Sequence, residues 1–310
     1  MRDYKHFIFF TKLKKVTFDL FRATLIISIS FIILFPLISK VPSAIMIEAD
    51  AIDRTIRWLP TSFTLNNFRQ AFELMNFPVS FWNSFSLAVL VSVLQVISAT
   101  VIGYGLGRFE FFGRKFVFAL VILTLIVPLQ MIMIPMYLNL RAFNLFGLLP
   151  FSVNLLGSHW PYILTSITGT GFRHGLFIYI MVQFFKGMPT ALEEAAYVDG
   201  AGYYTTFFRI MLPGAGPAII VVFLFSFVWQ WNDIFVSSIY LGGSPEYLPF
   251  ALERIMHIFY ERRTEYRVTW QMASMVNNAG MLMFIAPLLI MYAALQKYFI
   301  ESVERTGLVG

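Results

Sequence analysis

Of the 310 residues, 58% are hydrophobic and 18% aromatic, while only 13% are charged, about half of the roughly 25% carried by an ordinary soluble domain. Cysteine is absent, and the four histidines (His6, His159, His174, His257) have no HExxH-type spacing, so disulfide, redox and zinc chemistry have no residues to work with. A net charge of +6 invites a nucleic-acid reading, but Lys and Arg flank apolar runs instead of forming one solvated patch; the partner they fit is membrane lipid, and no nucleic acid is expected.

Stretches free of Asp, Glu, Lys and Arg run over 23–39, 83–107, 116–140, 142–172, 212–232 and 271–296, and about 20 apolar residues suffice to cross the hydrocarbon of a bilayer. They predict an all-α membrane protein with six transmembrane helices, 21–41, 83–107, 116–140, 159–186, 213–239 and 275–298. Lys12, Lys14, Lys15 and Arg22 precede the first run as in a signal peptide, yet no small-x-small pattern closes it, so it reads as a retained helix. Residues 42–82 pass through the turn-rich WLPTSFTLNNF into a helix expected over 65–74, a small outer cap. The short 2–3 connection carries Arg108, Arg114 and Lys115. Together with the basic N-terminal segment, it places that side in the cytoplasm. An even number of spans puts both termini there. The stretch 148–172, rich in Gly, Ser and Thr, and Arg173 inside the drawn helix leave the start of span four open. Pro128, Pro135 and Pro287 are expected to kink spans or free carbonyls. The chain divides into 1–82 (N-terminal segment, first span and cap), 83–300 (a core of five spans) and 301–310 (a cytoplasmic tail).

The 4–5 connection is the most informative. Pro189 is followed by Thr190 and Glu193 at capping-box spacing, which starts a short helix ending near Gly200. Leu192, Ala195, Ala196 and Asp199 share one face of it, three and four residues apart. Glycine at 200 permits a turn into a second short helix over 203–211, closed by Leu212 and Pro213. Two such helices at a membrane surface make a docking knob.

The string EAAYVDGAGYYTTFFRIMLP (194–213) resembles the EAA loop of the membrane subunits of binding-protein-dependent ABC importers. Glu194, Ala195, Ala196, Gly200, Ile210, Leu212 and Pro213 fall at the family spacing, and Asp199 with Ala201 extends the match. PTSFTLNNF (60–68), NSFSLAV (83–89), GYGLGRFEFFGR (103–114), PLQMIMIPMY (128–137) and FSFVWQWNDIF (225–235) are similar to the successive signatures of the carbohydrate-uptake class, its maltose-permease G-like subunits, and ERTGLVG (304–310) looks like a divergent form of that class's ending. The resemblance implies a permease subunit, not an enzyme, in the cytoplasmic membrane of a prokaryote. It implies that the loop is a coupling helix seated in a groove of a separate ATPase. The implied partners are a second related permease, two ATPase subunits, an extracytoplasmic solute-binding protein and a sugar or oligosaccharide. No cofactor is implied in this chain, with ATP and Mg on the ATPase. The chain contains no GxxxxGK[ST] phosphate cradle. The outer 241–270 segment, mixed in charge and carrying Tyr247, Phe250, Phe259, Tyr260 and Tyr266, is expected to approach the binding protein; a self-packed cap is the alternative.

For the solute path the candidates are Trp229, Gln230, Asn232 and Asp233, plus Asn277. Aromatic faces suit sugar C–H surfaces, and amides and carboxylates suit hydroxyls. At helical spacing Trp229, Gln230, Trp231 and Asn232 cannot all face one way, Asp233 has the alternative of reaching interfacial water, and amides in spans more often bond helix to helix. The glycine sets 103/105/107 and 169/171/175 do not lie between a strand and a helix, so close helix packing is the expected use. Two rival classes remain: an autonomous secondary transporter or channel, which needs inverted halves and buried coupling charges, and an intramembrane enzyme, which needs paired catalytic groups where Asp233 stands alone.

The topology is directly testable because there is no native cysteine to remove. A cysteine at Ser62 should react with an impermeant thiol reagent only from outside, and one at Thr190 only from inside. Labelling from the opposite sides would invert the assignment.

Overall fold

The computed structural model of the protein describes residues 2–53, 55–56, 58–145, 147–148, 150–262 and 269–307. In chain order the helices are α1 (Arg2–Ile38), α2 (Lys40–Ile45), α3 (Glu48–Ile52), α4 (Asn66–Leu74), α5 (Phe77–Arg108), α6 (Arg114–Ile126), α7 (Leu129–Arg141), α8 (Trp160–Ile167), α9 (His174–Gly187), α10 (Ala191–Val198), α11 (Tyr203–Thr206), a π-helical turn (Phe207–Met211), α12 (Leu212–Gly214), α13 (Gly216–Trp231), α14 (Phe235–Tyr240), α15 (Leu248–Glu253), α16 (Ile255–Arg262) and α17 (Trp270–Gly307). Among the described residues the only β pairing is two isolated bridges, Met46 with Phe63 and Phe143 with Val153.

Three stretches, 14–45, 77–108 and 270–297, are long and apolar enough to cross a membrane by themselves, and the number rises to six if each of three bent helix pairs is one span. The span expected over 116–140 bends at Pro128, as expected of that proline, while the spans drawn as continuous over 159–186 and 213–239 are corrected. In the first, Pro128 has no N–H to donate and forces Val127 into extended backbone, so α6 and α7 meet at 104°. The second breaks over 168–173, where Gly169 and Arg173 both hold positive φ. The third pauses at 232–234 between α13 and α14. Pro287, by contrast, lies within an uninterrupted α17.

The chain forms two units: residues 1–74 with 255–283, and residues 75–254 with 284–310. In the first, the helix expected over 65–74 is α4. Asn67 donates from Nδ2 to the carbonyls of Ala44 (3.0 Å) and Met46 (2.9 Å). Asp50, almost wholly buried, accepts from the Thr61 amide (2.8 Å) and hydroxyl (2.5 Å). Lys40 donates to Asn278 Oδ1 (2.9 Å), whose Nδ2 donates to Ser43 (2.9 Å).

The second unit is built on α5, which packs along both α9 and α13. Its core joins Ala99, Tyr104 and Leu106 of α5 to Phe177, Met181 and Phe185 of α9 and Ala218 and Val222 of α13. Gly103 and Gly107 make the α5–α9 approach possible. A Cβ at 103 would collide with Cβ of Met181, and one at 107 would lie 3.1 Å from Cβ of Phe185. Both pairs are four residues apart, so the two helices share one register of small against large. Gly105, between them, faces open space.

Gly103→Val should therefore overpack this seam and lower stability by about 1–3 kcal/mol, whereas Gly105→Ala should be nearly neutral. Thermal unfolding of the detergent-purified chain separates the two; equal effects would mean the seam is not tight.

Candidate functional site

Helices α10 and α11 with the π-helical turn form a knob between α9 and α13. α9 meets α10 at 68°, and the 203–214 stretch meets α13 at 69°. The knob thus lies across the ends of two spans. Gly200 turns it at φ +80° with nothing within 4 Å of a would-be Cβ, a conformation that glycine adopts without strain, and Ala201 N–H closes the turn on Ala196 O (2.9 Å). The expected capping box is not made: Thr190 has helical backbone (φ −62°, ψ −30°) and no side-chain cap bond, and the Glu193 carboxylate is taken by Arg108.

That pair defines the site. Arg108, the last residue of α5, meets Glu193 Oε2 from Nη2 (2.6 Å) and donates to it from Nε (2.7 Å). Its Nη1 donates to the carbonyls of Phe185 (3.3 Å) and Met188 (3.1 Å), where α9 ends. Tyr104 donates its hydroxyl to Glu193 Oε1 (3.0 Å). Both charged side chains are close to fully buried, at 6% and 13% exposure. One guanidinium thus joins the ends of α5 and α9 and the first turn of α10. Rings continue the link: Tyr104 packs on Phe207 (4.8 Å between centroids) and Phe109 on Tyr203 (5.9 Å). Partial burial and the Glu193 charge push the Tyr197 phenol up.

The motif residues separate into two groups. Glu194, Ala195 and Asp199 are exposed, along with Val198, Tyr203 and Tyr204. Ala196 is buried within this chain, so its small side chain serves packing inside the knob and is not part of the surface it offers. Ile210 and Leu212 are half-buried, Ala201 likewise, and Pro213 is exposed ahead of α13.

A second feature lies in the same unit, a narrow cleft of about 30 Å³ between α5, α8, α9 and α13–α14. Trp229, Gln230 and Asp233 line it with Gln95, Tyr162, Thr165, Ser166 and Phe177. Asn232 does not; its amide folds back to Val228 O (2.7 Å). Asn277 belongs to the other unit. Asp233 is a helix cap: its carboxylate accepts the amides of Val236 (3.2 Å) and Ser237 (2.7 Å) and the Ser237 hydroxyl (2.7 Å), starting α14. Ser237 also meets the Tyr162 hydroxyl (2.7 Å), and Ser226 donates to Gln95 Oε1 (2.6 Å). Among the described residues, Ser166 Oγ and His174 Nδ1 are buried without a partner. Of the outer 241–270 segment, Arg263 and Tyr266 lie outside the described residues.

Removing Glu193 strands a buried guanidinium, so Glu193→Ala should destabilise by about 3 kcal/mol and free the knob from α5. Glu193→Gln, which keeps the shape and two polar atoms, should cost less. Thermal unfolding with protease sensitivity between residues 189 and 212 reads both; an unaltered knob in Glu193→Ala would remove the clamp from this account.

Residues 99–304 match the family model of the binding-protein-dependent transport system inner membrane component. The chain is 28% identical over 284 residues to an osmoprotective compounds uptake permease of Synechocystis sp. (90% of this chain, 88% of that one). It is 30% identical over 243 residues to an alpha-glucoside transport system permease of Rhizobium meliloti (78% and 60%), and 26% identical over 286 residues to an arabinooligosaccharides transport system permease of Halalkalibacterium halodurans (91% and 93%). Its fold is that of a chain in the crystal structure of a bacterial ABC transporter importing the acidic polysaccharide alginate, with a TM-score of 0.66 at 21% identity, covering 91% of this chain and 96% of that one. The chain belongs to the family of binding-protein-dependent transport system inner membrane components, and is a multi-pass permease of an ABC transporter.

Proposed function

We propose that this permease imports a sugar or oligosaccharide, and that the knob is where a separate ATPase docks. The observation that carries the docking is the knob's geometry. Two short helices lie across the span ends, are clamped to α5 by the Arg108–Glu193 pair, and present an exposed face of Glu194, Ala195, Val198 and Tyr204. A push on that face is delivered to α5, α9 and α13 together. The saccharide reading is supported by relatives named for alpha-glucosides and arabinooligosaccharides, and by a cleft that sets the Trp229 ring beside Gln95, Gln230 and Ser166. The complex in this reading has one further related permease, two ATPase subunits holding ATP and Mg, and an extracytoplasmic binding protein. The knob, the 108–115 turn and both termini face the cytoplasm of a prokaryotic cell, and the division into 1–82, 83–300 and 301–310 separates the cap-bearing segment, the permease core and the tail.

Reconstitution tests this. The chain alone should neither hydrolyse ATP nor accumulate solute, while the full complex with its binding protein should take up an oligosaccharide only with ATP. Ala195→Trp, on the exposed face, should leave the permease folded but block co-purification of the ATPase by bulk, and Glu194→Lys should weaken assembly in a salt-dependent manner. Ala196→Trp should instead unfold the knob itself. Normal assembly and coupled hydrolysis in both exposed-face variants would refute the docking surface; gradient-driven uptake by the chain alone would refute the importer.

A further inference from the structure

The break between α8 and α9 lies deep. Arg173 stands just ahead of the 14 residues of α9, whose far end meets the knob, and at 1.5 Å per residue that sets it about 21 Å from the knob in a hydrocarbon layer of about 30 Å. Arg173 is exposed, and so are Thr168 and Thr170 of the same stretch. Among the described residues no carboxylate pairs with Arg173 and no acceptor takes its side-chain N–H groups. Its guanidinium carbon rests 4.3 Å from the ring centroid of Trp229 and 4.7 Å from that of Phe172, and Trp229 is in the last turn of α13, at the end away from the knob. Stacking covers the plane of the guanidinium and leaves its N–H edge open, a fork shaped for a carboxylate.

The backbone of the break raises the same need. Thr170 N–H bonds to Thr165 O (3.0 Å) and His174 N–H to Gly171 O (3.0 Å), but the amides of Gly169, Gly171, Phe172 and Arg173 reach no acceptor among the described residues. Positive φ at Gly169 and Arg173 ends the helical ladder that would have supplied one. In hydrocarbon such backbone is tolerated only where protein covers it or where it lines a water-filled cavity, and an unpaired arginine is held to the same limit. Lipid is therefore excluded as the neighbour of this face. Between protein and water the surroundings favour protein. Ile167, beside the break, is 56% exposed, and Phe225, stacked on Trp229 at 5.5 Å, is 36% exposed; a water-filled cavity would leave both apolar side chains wet.

We propose that this face, from Thr168 to Arg173, is where the second permease packs, setting a carboxylate on Arg173 and polar side chains on the open amides. This rests on the reading of the importer as a pair of related permeases. The test uses the membrane-purified complex of both permeases and the ATPase, with the second permease stripped of its own cysteines. This chain has none, so Thr170→Cys can be followed alone. In the complex it should resist an impermeant maleimide and should form a disulfide, under copper phenanthroline, with one of a set of cysteines stepped along the membrane helices of the second permease. Arg173→Glu should cut the second permease recovered with this chain by on the order of tenfold. Lys in place of one membrane-depth Asp or Glu of the second permease should then restore it. Maleimide labelling of Thr170→Cys in the intact complex would overturn the proposal by showing a water-filled path. Absence of every cross-link, or normal recovery with Arg173→Glu, would overturn it too, as would a loss that no charge reversal in the second permease restores. Failure of the wild-type chain to co-purify with any related permease would overturn the paired reading and the proposal together.

Discussion

The interaction on which the rest depends is the meeting of Arg108 and Glu193. Two helix ends and a loop would otherwise separate at the membrane surface, each with unsatisfied carbonyls or amides. Arg108 answers two carbonyls at the end of α9 and one carboxylate of α10. Arg114 does the same at the end of α5, donating to the carbonyls of Leu106 (2.9 Å) and Gly107 (3.1 Å). Guanidinium is the group for this work, since its five N–H donors are fixed in a plane and it stays charged when dehydrated. The knob therefore moves with the spans and not as a tethered loop.

Within the spans a different constraint rules, because a backbone amide in hydrocarbon must find its acceptor inside the protein. The long uninterrupted helices α1, α5 and α17 meet it by themselves. The breaks at 168–173 and 232–234 border the cleft, where side chains can take over. Asp233 supplies acceptors for the first amides of α14, and Ser98 donates to the Ser166 carbonyl (2.6 Å) near the end of α8. The cleft is thus a by-product of interrupted helices, and its polar lining is partly the apparatus that makes the interruption tolerable.

How much of this was legible follows from how far each cause lies along the chain. The apolar runs and the glycine turn at 200 are local facts, and they were readable as such. Thr190 and Glu193 have the spacing of a local cap, yet a buried cation 85 residues away claims the carboxylate, and no single sequence displays that competition. Ala196 shares a helical face with Leu192, Ala195 and Asp199, and periodicity cannot say which residue of such a face is covered by the chain itself. Asp233 stood out as a lone acid near the membrane, but its use as a helix cap depends on α14 starting where it does. Pro128 and Pro287 read alike in sequence; Val127 turns to extended backbone before the first, while α17 runs unbroken through the second.

The distance between Arg108 and Glu193 along the chain also sets an order in time. Synthesis at about 5–20 residues per second puts roughly 4–17 s between the emergence of the two residues. During that interval the end of α5 that carries Arg108 already exists, with its glycine-lined seam waiting for α9. The seam closes once residues 174–187 are made, and the clamp follows only when α10 is made. Assembly of this subunit therefore runs from the packed seam outward, and the surface of the knob is finished after the packing beneath it.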